Sequence, residues 1–288
     1  MKGDFLQNNL LEIEAGEQNM LEGHCREMRK NCLVMAKAAG GEGFHFGASL
    51  SIIEIVAVLY LRVMQIGKHL FQSEERDRFI LSKGHGVPAI YAVLERMNVL
   101  SREDLLTFKR EGSDLSGHPC KNESLGIEFS SGSLGQGLSY GVGVALALRR
   151  KGNGNARVFV LLGDGECDEG SVWEAAMAAA KHGLNHLTVI VDWNHMQYDG
   201  DTEQVMPMES LEAKWKAFGW DACHVDGHDL ELLEMTLGKE SARPRAIIAD
   251  TVKGKGISFM EHEAQWHHGM MTAAQEEQAW KEVVGDED

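Results

Sequence analysis

The run Arg157-Val-Phe-Val-Leu-Leu-Gly-Asp-Gly165, answered some twenty residues on by Leu187-Thr-Val-Ile-Val-Asp-Trp-Asn194, decides how this chain is read. Residues 157–162 and 187–193 are unbroken apolar, β-rich runs, the pattern of strands buried on both faces. Between them, Ser171 to His182 carries small and apolar residues at helical spacing. A third run, Ala246-Ile-Ile-Ala-Asp-Thr-Val252, closes in Lys253-Gly-Lys-Gly256. Strands that alternate with helices predict an α/β domain whose parallel sheet carries helices on both faces.

Upstream of this centre, Arg26 to Ala39 places Met28, Cys32, Met35 and Ala39 at helical period and stops at Gly40-Gly41. A second helix is predicted over Ser51 to Val63, with Ser51 as N-cap and Glu54 three residues on as a capping box. Phe79-Ile-Leu81 is a short apolar run that ends in the loop Ser82-Lys-Gly-His-Gly86, and Ser101 with Asp104 opens another short helix. Residues 1–25 read as an N-terminal extension and residues 26–288 as one domain. There is no repeat or linker, and only four prolines interrupt the chain. The last ten or so residues are expected to fray.

Composition excludes several classes. With 43% hydrophobic residues the chain can bury a full core, so it is not intrinsically disordered. Twenty-eight basic against 44 acidic residues give a net charge of −16, which repels both nucleic acid and anionic membrane. No stretch reaches the ~20 apolar residues that span a bilayer, and the polar, acidic start from Met1 to Glu17 is no signal peptide. Five scattered cysteines (Cys25, Cys32, Cys120, Cys167, Cys223) without C-x-x-C spacing read as reduced thiols of a cytoplasmic protein.

A right-handed β-α-β crossover puts the ends of both central strands on one edge of the sheet. Asp164 after the first and Asn194 after the second can therefore meet one ion, because neighbouring strands lie about 4.8 Å apart. A carboxylate, an amide oxygen and the main-chain carbonyl of Met196 are hard donors that suit Mg²⁺ or Ca²⁺ and leave room for phosphate oxygens. Gly165 removes a side chain where a diphosphate would approach the backbone. Alone, Gly-Asp-Gly is a common tight turn; the strand before it and the Asn ending the next strand make it a candidate site.

These residues resemble something specific. Gly163-Asp-Gly-Glu-Cys-Asp-Glu-Gly170, Trp173-Glu-Ala-Ala-Met177 and Val191-Asp-Trp-Asn194 are similar to the thiamine-diphosphate motif of transketolases. Further landmarks follow in family order: Gly43-Phe-His-Phe-Gly-Ala-Ser-Leu-Ser51, Leu81-Ser-Lys-Gly-His-Gly86, Ser116-Gly-His-Pro119, Ser131-Gly-Ser-Leu-Gly-Gln-Gly137, Val225-Asp-Gly-His-Asp229 and Trp266-His-His-Gly269. The match runs from about Arg26 past His268 but covers only the diphosphate-binding domain, as in the amino-terminal subunit of transketolases split over two polypeptides.

The resemblance implies a thiamine-diphosphate-binding fold, with thiamine diphosphate and Mg²⁺ (Ca²⁺ or Mn²⁺ as alternatives) as cofactors. Asp164, Asn194 and the Met196 carbonyl would hold the metal. Gly165, Asn194 and the Gly132-Ser133-Leu134 turn would line the cofactor. His85 would touch its phosphates, His267 would face cofactor and substrate, and His45 and His118 would hydrogen-bond the donor ketose. It implies transfer of a two-carbon ketol unit from a ketose, phosphorylated or similarly anionic, to an aldose. Histidines with pKa near 6.5 would shuttle protons. The partner would be a subunit with the pyrimidine-binding and carboxyl-terminal domains, in an α2β2 assembly, and Glu169 would lie at the contact between the two.

The chain departs from the family pattern in places. Phe44 and Phe46 flank His45 and are expected to narrow the pocket. Ser133 replaces a proline, His195 follows Asn194 in place of a second Asn, and Met270-Met271 leave the choice between His267 and His268 open, with His267 favoured. Two rival readings remain. One is another thiamine enzyme component, of the 1-deoxy-xylulose-5-phosphate synthase or 2-oxoacid dehydrogenase kind. The other is a non-catalytic relative that kept the fold.

Overall fold

Five short runs of aliphatic and β-branched residues form one sheet in a computed structural model that describes residues 2–285, with side chains from residue 19 onward except Lys68. The strands are β1 (Arg78–Leu81), β2 (Val158–Gly163), β3 (Leu187–Trp193), β4 (Asp221–Asp226) and β5 (Arg245–Asp250). All pair in parallel, in the order β1-β2-β3-β5-β4. The helices are α1 (Lys2–Ala39), α2 (Phe46–Leu50), α3 (Ile53–Val58), α4 (Val87–Arg96), α5 (Arg102–Leu105) and α6 (Gln136–Arg150). After β2 come α7 (Gly170–Lys181), α8 (Thr202–Val205), α9 (Leu211–Ala217), α10 (Leu230–Gly238) and α11 (Ala273–Val284).

Alternate residues of each strand enter different cores, which is why the central runs are apolar throughout. Phe159, Leu161, Ile190 and Ile247 pack with α1, α3, α4 and α10 on one face. Val158, Val160, Val189, Val191 and Ile248 pack with α6, α7 and α9 on the other. The sheet is thus covered on both sides, as the sequence predicts.

Three local expectations change. Helix α1 does not break at residue 25; it continues to Ala39, and Leu21 and Cys25 are buried in the same core as Met28 and Cys32. The predicted capping box at Ser51 does not form. The Ser51 hydroxyl donates instead to buried Asp192 at 2.8 Å, Glu54 turns to Arg29 and His228, and the single helix expected over Ser51 to Val63 becomes α3 and a π turn over Leu59–Val63, with α2 lying before it. Strand β4 was not anticipated. As an edge strand it buries only Ala222 and Val225, so Asp221-Ala-Cys-His-Val-Asp226 lacks a continuous apolar signature. The capping box at Ser101 and Asp104 is present. Helix α11 is regular to Val284; residues 286–288, where fraying was expected, lie outside the described residues. All five cysteines are free, and no described helix is long and apolar enough to cross a membrane.

Candidate active site

At the carboxyl edge of the sheet, Gly163 pairs in register with Asp192, so Asp164 and Asn194 leave two adjacent strands almost side by side. Both side chains are buried, and each is already oriented. Asp164 accepts from the Gly165 N–H at 2.8 Å and from the Thr202 hydroxyl at 3.0 Å. Asn194 donates from Nδ2 to Asp192 at 2.7 Å, which turns its Oδ1 toward the Met196 N–H at 3.2 Å. The loop then curls back through a bridge between Met196 and Asp201, with His195 in the left-handed region at φ 63°. His195 points away and bonds Asp250 at 2.9 Å on the surface. The Met196 carbonyl faces inward and accepts from Lys253 Nζ at 3.0 Å. A Cβ on Gly165 would stand 2.9 Å from the Gln197 side chain, which would have to move aside for any larger residue.

Asp192 organises this corner from below. It is fully buried and accepts from Ser51, Lys83, Asn194 and Thr251. Burial alone would raise its pKa, but the Lys83 ammonium and these donors hold it below the usual carboxylate range. At Asp164 burial, then the charge of Asp192, outweighs the Gly165 and Thr202 donors and the Lys253 charge and pushes the carboxyl up to about 6. Burial likewise lowers the Lys253 ammonium to about 8. Glu166, buried beside them, accepts from the Ser82 hydroxyl and from the N–H groups of Gly135 and Gly163. Lys83, Asp192, Glu166 and Lys253 were not singled out from sequence. A carboxylate inside the apolar run 187–193 was the available signal for Asp192.

A cavity of about 260 Å³ opens on this corner, and Asp164, Gly165, Asn194, Met196, Gly132 and Leu134 all reach it. Ser133 does not; it is exposed on the turn that leads into α6. Four histidines from distant segments line the same cavity: His45, His85, His118 and His267. Their ring centroids lie 5.6 Å (His45–His85), 5.4 Å (His45–His118), 5.8 Å (His45–His267) and 5.0 Å (His85–His267) apart. The segment carrying His267 is pinned by a two-bond bridge between Phe44 and Gly269, 2.9 and 3.0 Å. Trp266, packed on Phe46, anchors it from the other side. His268 stands 4.5 Å from His45 but outside the cavity lining, over Gly43, whose φ of 67° and 2.6 Å clearance from that ring allow no side chain. Phe44 and Phe46 do not narrow the pocket. Both are about 1% exposed and pack into the core, Phe44 also against Phe108.

The histidines are not ordinary. Burial, reinforced by His268 and His267, lowers His45 to about 3, and burial with Lys253 lowers His267 to about 4. Burial with Lys83 pushes His85 well below the usual range, and burial with Lys109 lowers His118. They are neutral imidazoles at neutral pH, each with one donor and one acceptor. The sequence expectation of groups that titrate near 6.5 is thereby corrected, because clustering with lysines and with one another disfavours the charged form.

The donor set fits a hard divalent cation. Among the described residues no three His, Cys, Asp or Glu side chains gather as a metal cluster. One carboxylate, one amide oxygen and one carbonyl supply half of an octahedron and suit a metal completed by phosphate oxygens. Lys83, Lys253 and His85 line the same cavity and carry N–H groups of the kind that phosphate oxygens accept from.

Fold and site together define an α/β protein built to hold a diphosphate and its cation at the ends of parallel strands. The family model "Transketolase, thiamine diphosphate binding domain" matches residues 28–288. The chain is 42% identical over 267 residues to an apulose-4-phosphate transketolase subunit of Phocaeicola vulgatus, covering 91% of this chain and 93% of that one. It is 43% identical over 247 residues to a 6-deoxy-6-sulfo-D-fructose transketolase subunit of a Clostridium species, covering 84% and 87%. Human transketolase is 37% identical over 250 residues, but only 40% of its length is covered. The crystal structure of Campylobacter jejuni transketolase superposes with a TM-score of 0.83 at 27% identity over 92% of this chain and 43% of that one. The chain belongs to the transketolase family and corresponds to its amino-terminal, thiamine-diphosphate-binding domain.

Proposed function

We propose that this chain is the thiamine-diphosphate-binding subunit of a two-component transketolase that moves a two-carbon ketol unit from a ketose to an aldose. One observation carries the reading: the Asp164–Asn194–Met196 corner shares a single cavity with His45, His85, His118 and His267. When bound, thiamine diphosphate supplies the carbon nucleophile and the electron sink for cleaving the bond beside the ketose carbonyl. The chain's own residues bind and orient. Asp164, Asn194 and the Met196 carbonyl hold Mg²⁺, which with Lys253 offsets the diphosphate charge, neutral His85 donates a hydrogen bond to it, and Gly132, Leu134 and Gly165 shape the cradle. Neutral His45 and His118 each offer one N–H and one acceptor to hydroxyls of the donor, and His267 bridges cofactor and sugar.

Two relatives covered nearly end to end are named for ketoses with an anionic group, one a phosphate and one a sulfonate. A ketose with an anionic terminus is therefore the substrate class we assign. Two relatives named as transketolase subunits, covered to 93% and 87% of their own lengths, support a separate partner that supplies the remaining domains, in an α2β2 complex with Glu169 near the contact. The test is an assay of ketol transfer with the purified chain, alone and with its carboxyl-terminal subunit. No turnover alone and transfer from a ketose after mixing is expected. Turnover by the chain alone would overturn the split-enzyme reading, and consumption of pyruvate in place of a ketose would move the protein to the deoxyxylulose-phosphate synthase class.

A further inference from the structure

The opposite edge of the sheet, where the strands begin, holds a second cavity of about 620 Å³, more than twice the catalytic one. Arg157 enters it ahead of β2, Asn185 and His186 ahead of β3, and Lys239 after α10, while Arg245 opens β5. Strand β5 is six residues long, which sets the two cavities about 20 Å apart.

Arg245 is the anomaly. It is 4% exposed, yet among the described residues no carboxylate lies within ion-pair distance of it. Its one protein acceptor is the Lys239 carbonyl, 2.7 Å from Nη1, and its Nε is buried with no acceptor at all. Arg157 shows what a satisfied neighbour looks like: Asp77 takes its Nε at 3.1 Å and its Nη2 at 2.6 Å. A buried charge without a counter-charge is strongly unfavourable, and a guanidinium cannot escape by losing its proton. The C-terminal end of α10 offers only a partial negative charge, which leaves Nε unmet. In a chain of net charge −16, a lining that sets Lys239 and Arg245 against Glu240 alone, with Arg157 already paired to Asp77, is also out of keeping.

We propose that this cavity binds a small phosphate monoester, separate from the catalytic cleft. The Arg245 guanidinium, with Nη1 already given to the Lys239 carbonyl, meets a phosphate oxygen through a remaining N–H, Lys239 adds a point charge, and Asn155, Asn185 and Ser241 offer neutral partners to a hydroxylated body.

The test is thermal unfolding of the full chain in phosphate against chloride at matched ionic strength. Phosphate raises the midpoint of the wild type by about 5 °C at a hundredfold excess over its dissociation constant, and does not raise that of Arg245→Met. In chloride the Arg245→Met chain is at least as stable as the wild type, because an uncompensated charge has gone; a purely structural arginine would leave it weaker. Equal protection of both chains, as phosphate in the catalytic cleft alone would produce, overturns the proposal. Should Arg245→Met fail to fold, Arg245→Lys and Lys239→Ala each shift half-saturation at least tenfold, and unchanged half-saturation in both overturns it. Half-saturation by fructose 6-phosphate at a tenfold lower concentration than by inorganic phosphate assigns the ester; equal values overturn that assignment in favour of the inorganic ion.

Discussion

A histidine at a protein surface titrates near 6.5, and His45, His85, His118 and His267 depart from that for a reason visible in their spacing. Each ring would have to gain its proton out of water and beside other would-be cations. The imidazole resonances of His45 and His267 are therefore expected to titrate below pH 5 in NMR spectra of the chain; a midpoint near 6.5 for either would show the cluster to be open to water. Between His267 and His268 the cavity decides. His267→Ala should lower ketol transfer by the reconstituted enzyme about 10²–10⁴-fold, and His268→Ala less than tenfold; the reverse order would exchange their assignments. Asp164, Asn194 and the Met196 carbonyl were legible because strand ends are legible. Ser133 was misplaced, and Phe44 and Phe46 misjudged, because a loop sequence does not say which way a side chain turns.

Glu54 shows the same limit in a secondary-structure element. Its spacing from Ser51 reads as a cap, yet it is the centre of a buried knot that joins α1, α3, the turn before α10 and the exit of β5. It receives Arg29 at 2.6 Å and His228 Nδ1 at 3.0 Å, while His228 Nε2 accepts from the Val252 N–H at 2.9 Å. That last bond fixes the histidine with its proton on Nδ1. Burial by itself would raise the Glu54 carboxyl, but Arg29 and His228 prevail and hold it down to about 2, from 4.5. The stabilisation is thus complete above pH 4.5 and is lost as the pH falls toward 2. Glu54→Gln should lower stability at neutral pH by about 3 kcal/mol and flatten the loss between pH 4.5 and 2, as read by denaturant unfolding across that range. A variant that melts in acid like the wild type would remove Glu54 from that role. The knot's ends are 226 residues apart, Arg29 donating to the Lys255 carbonyl at 3.1 Å, a pairing no local pattern can announce.

For the molecule as a whole, the alternation of strands and helices was readable because each central strand is buried on both faces and says so along its length. Strand β4, at the edge, was not. Tyr198, which lines the cleft, stands 72% exposed. Light scattering of this chain mixed with its carboxyl-terminal subunit is expected to give a particle of two copies of each; a stable one-to-one particle with full activity would contradict the α2β2 assignment.

The bridge between Phe44 and Gly269 has a bearing on biosynthesis. Because it clasps an early loop to a late one, synthesis must reach Gly269 before the bridge can close. The strand-end corner of Asp164 and Asn194 comes off the ribosome earlier, so the His267 segment is the last wall of the cleft to be set.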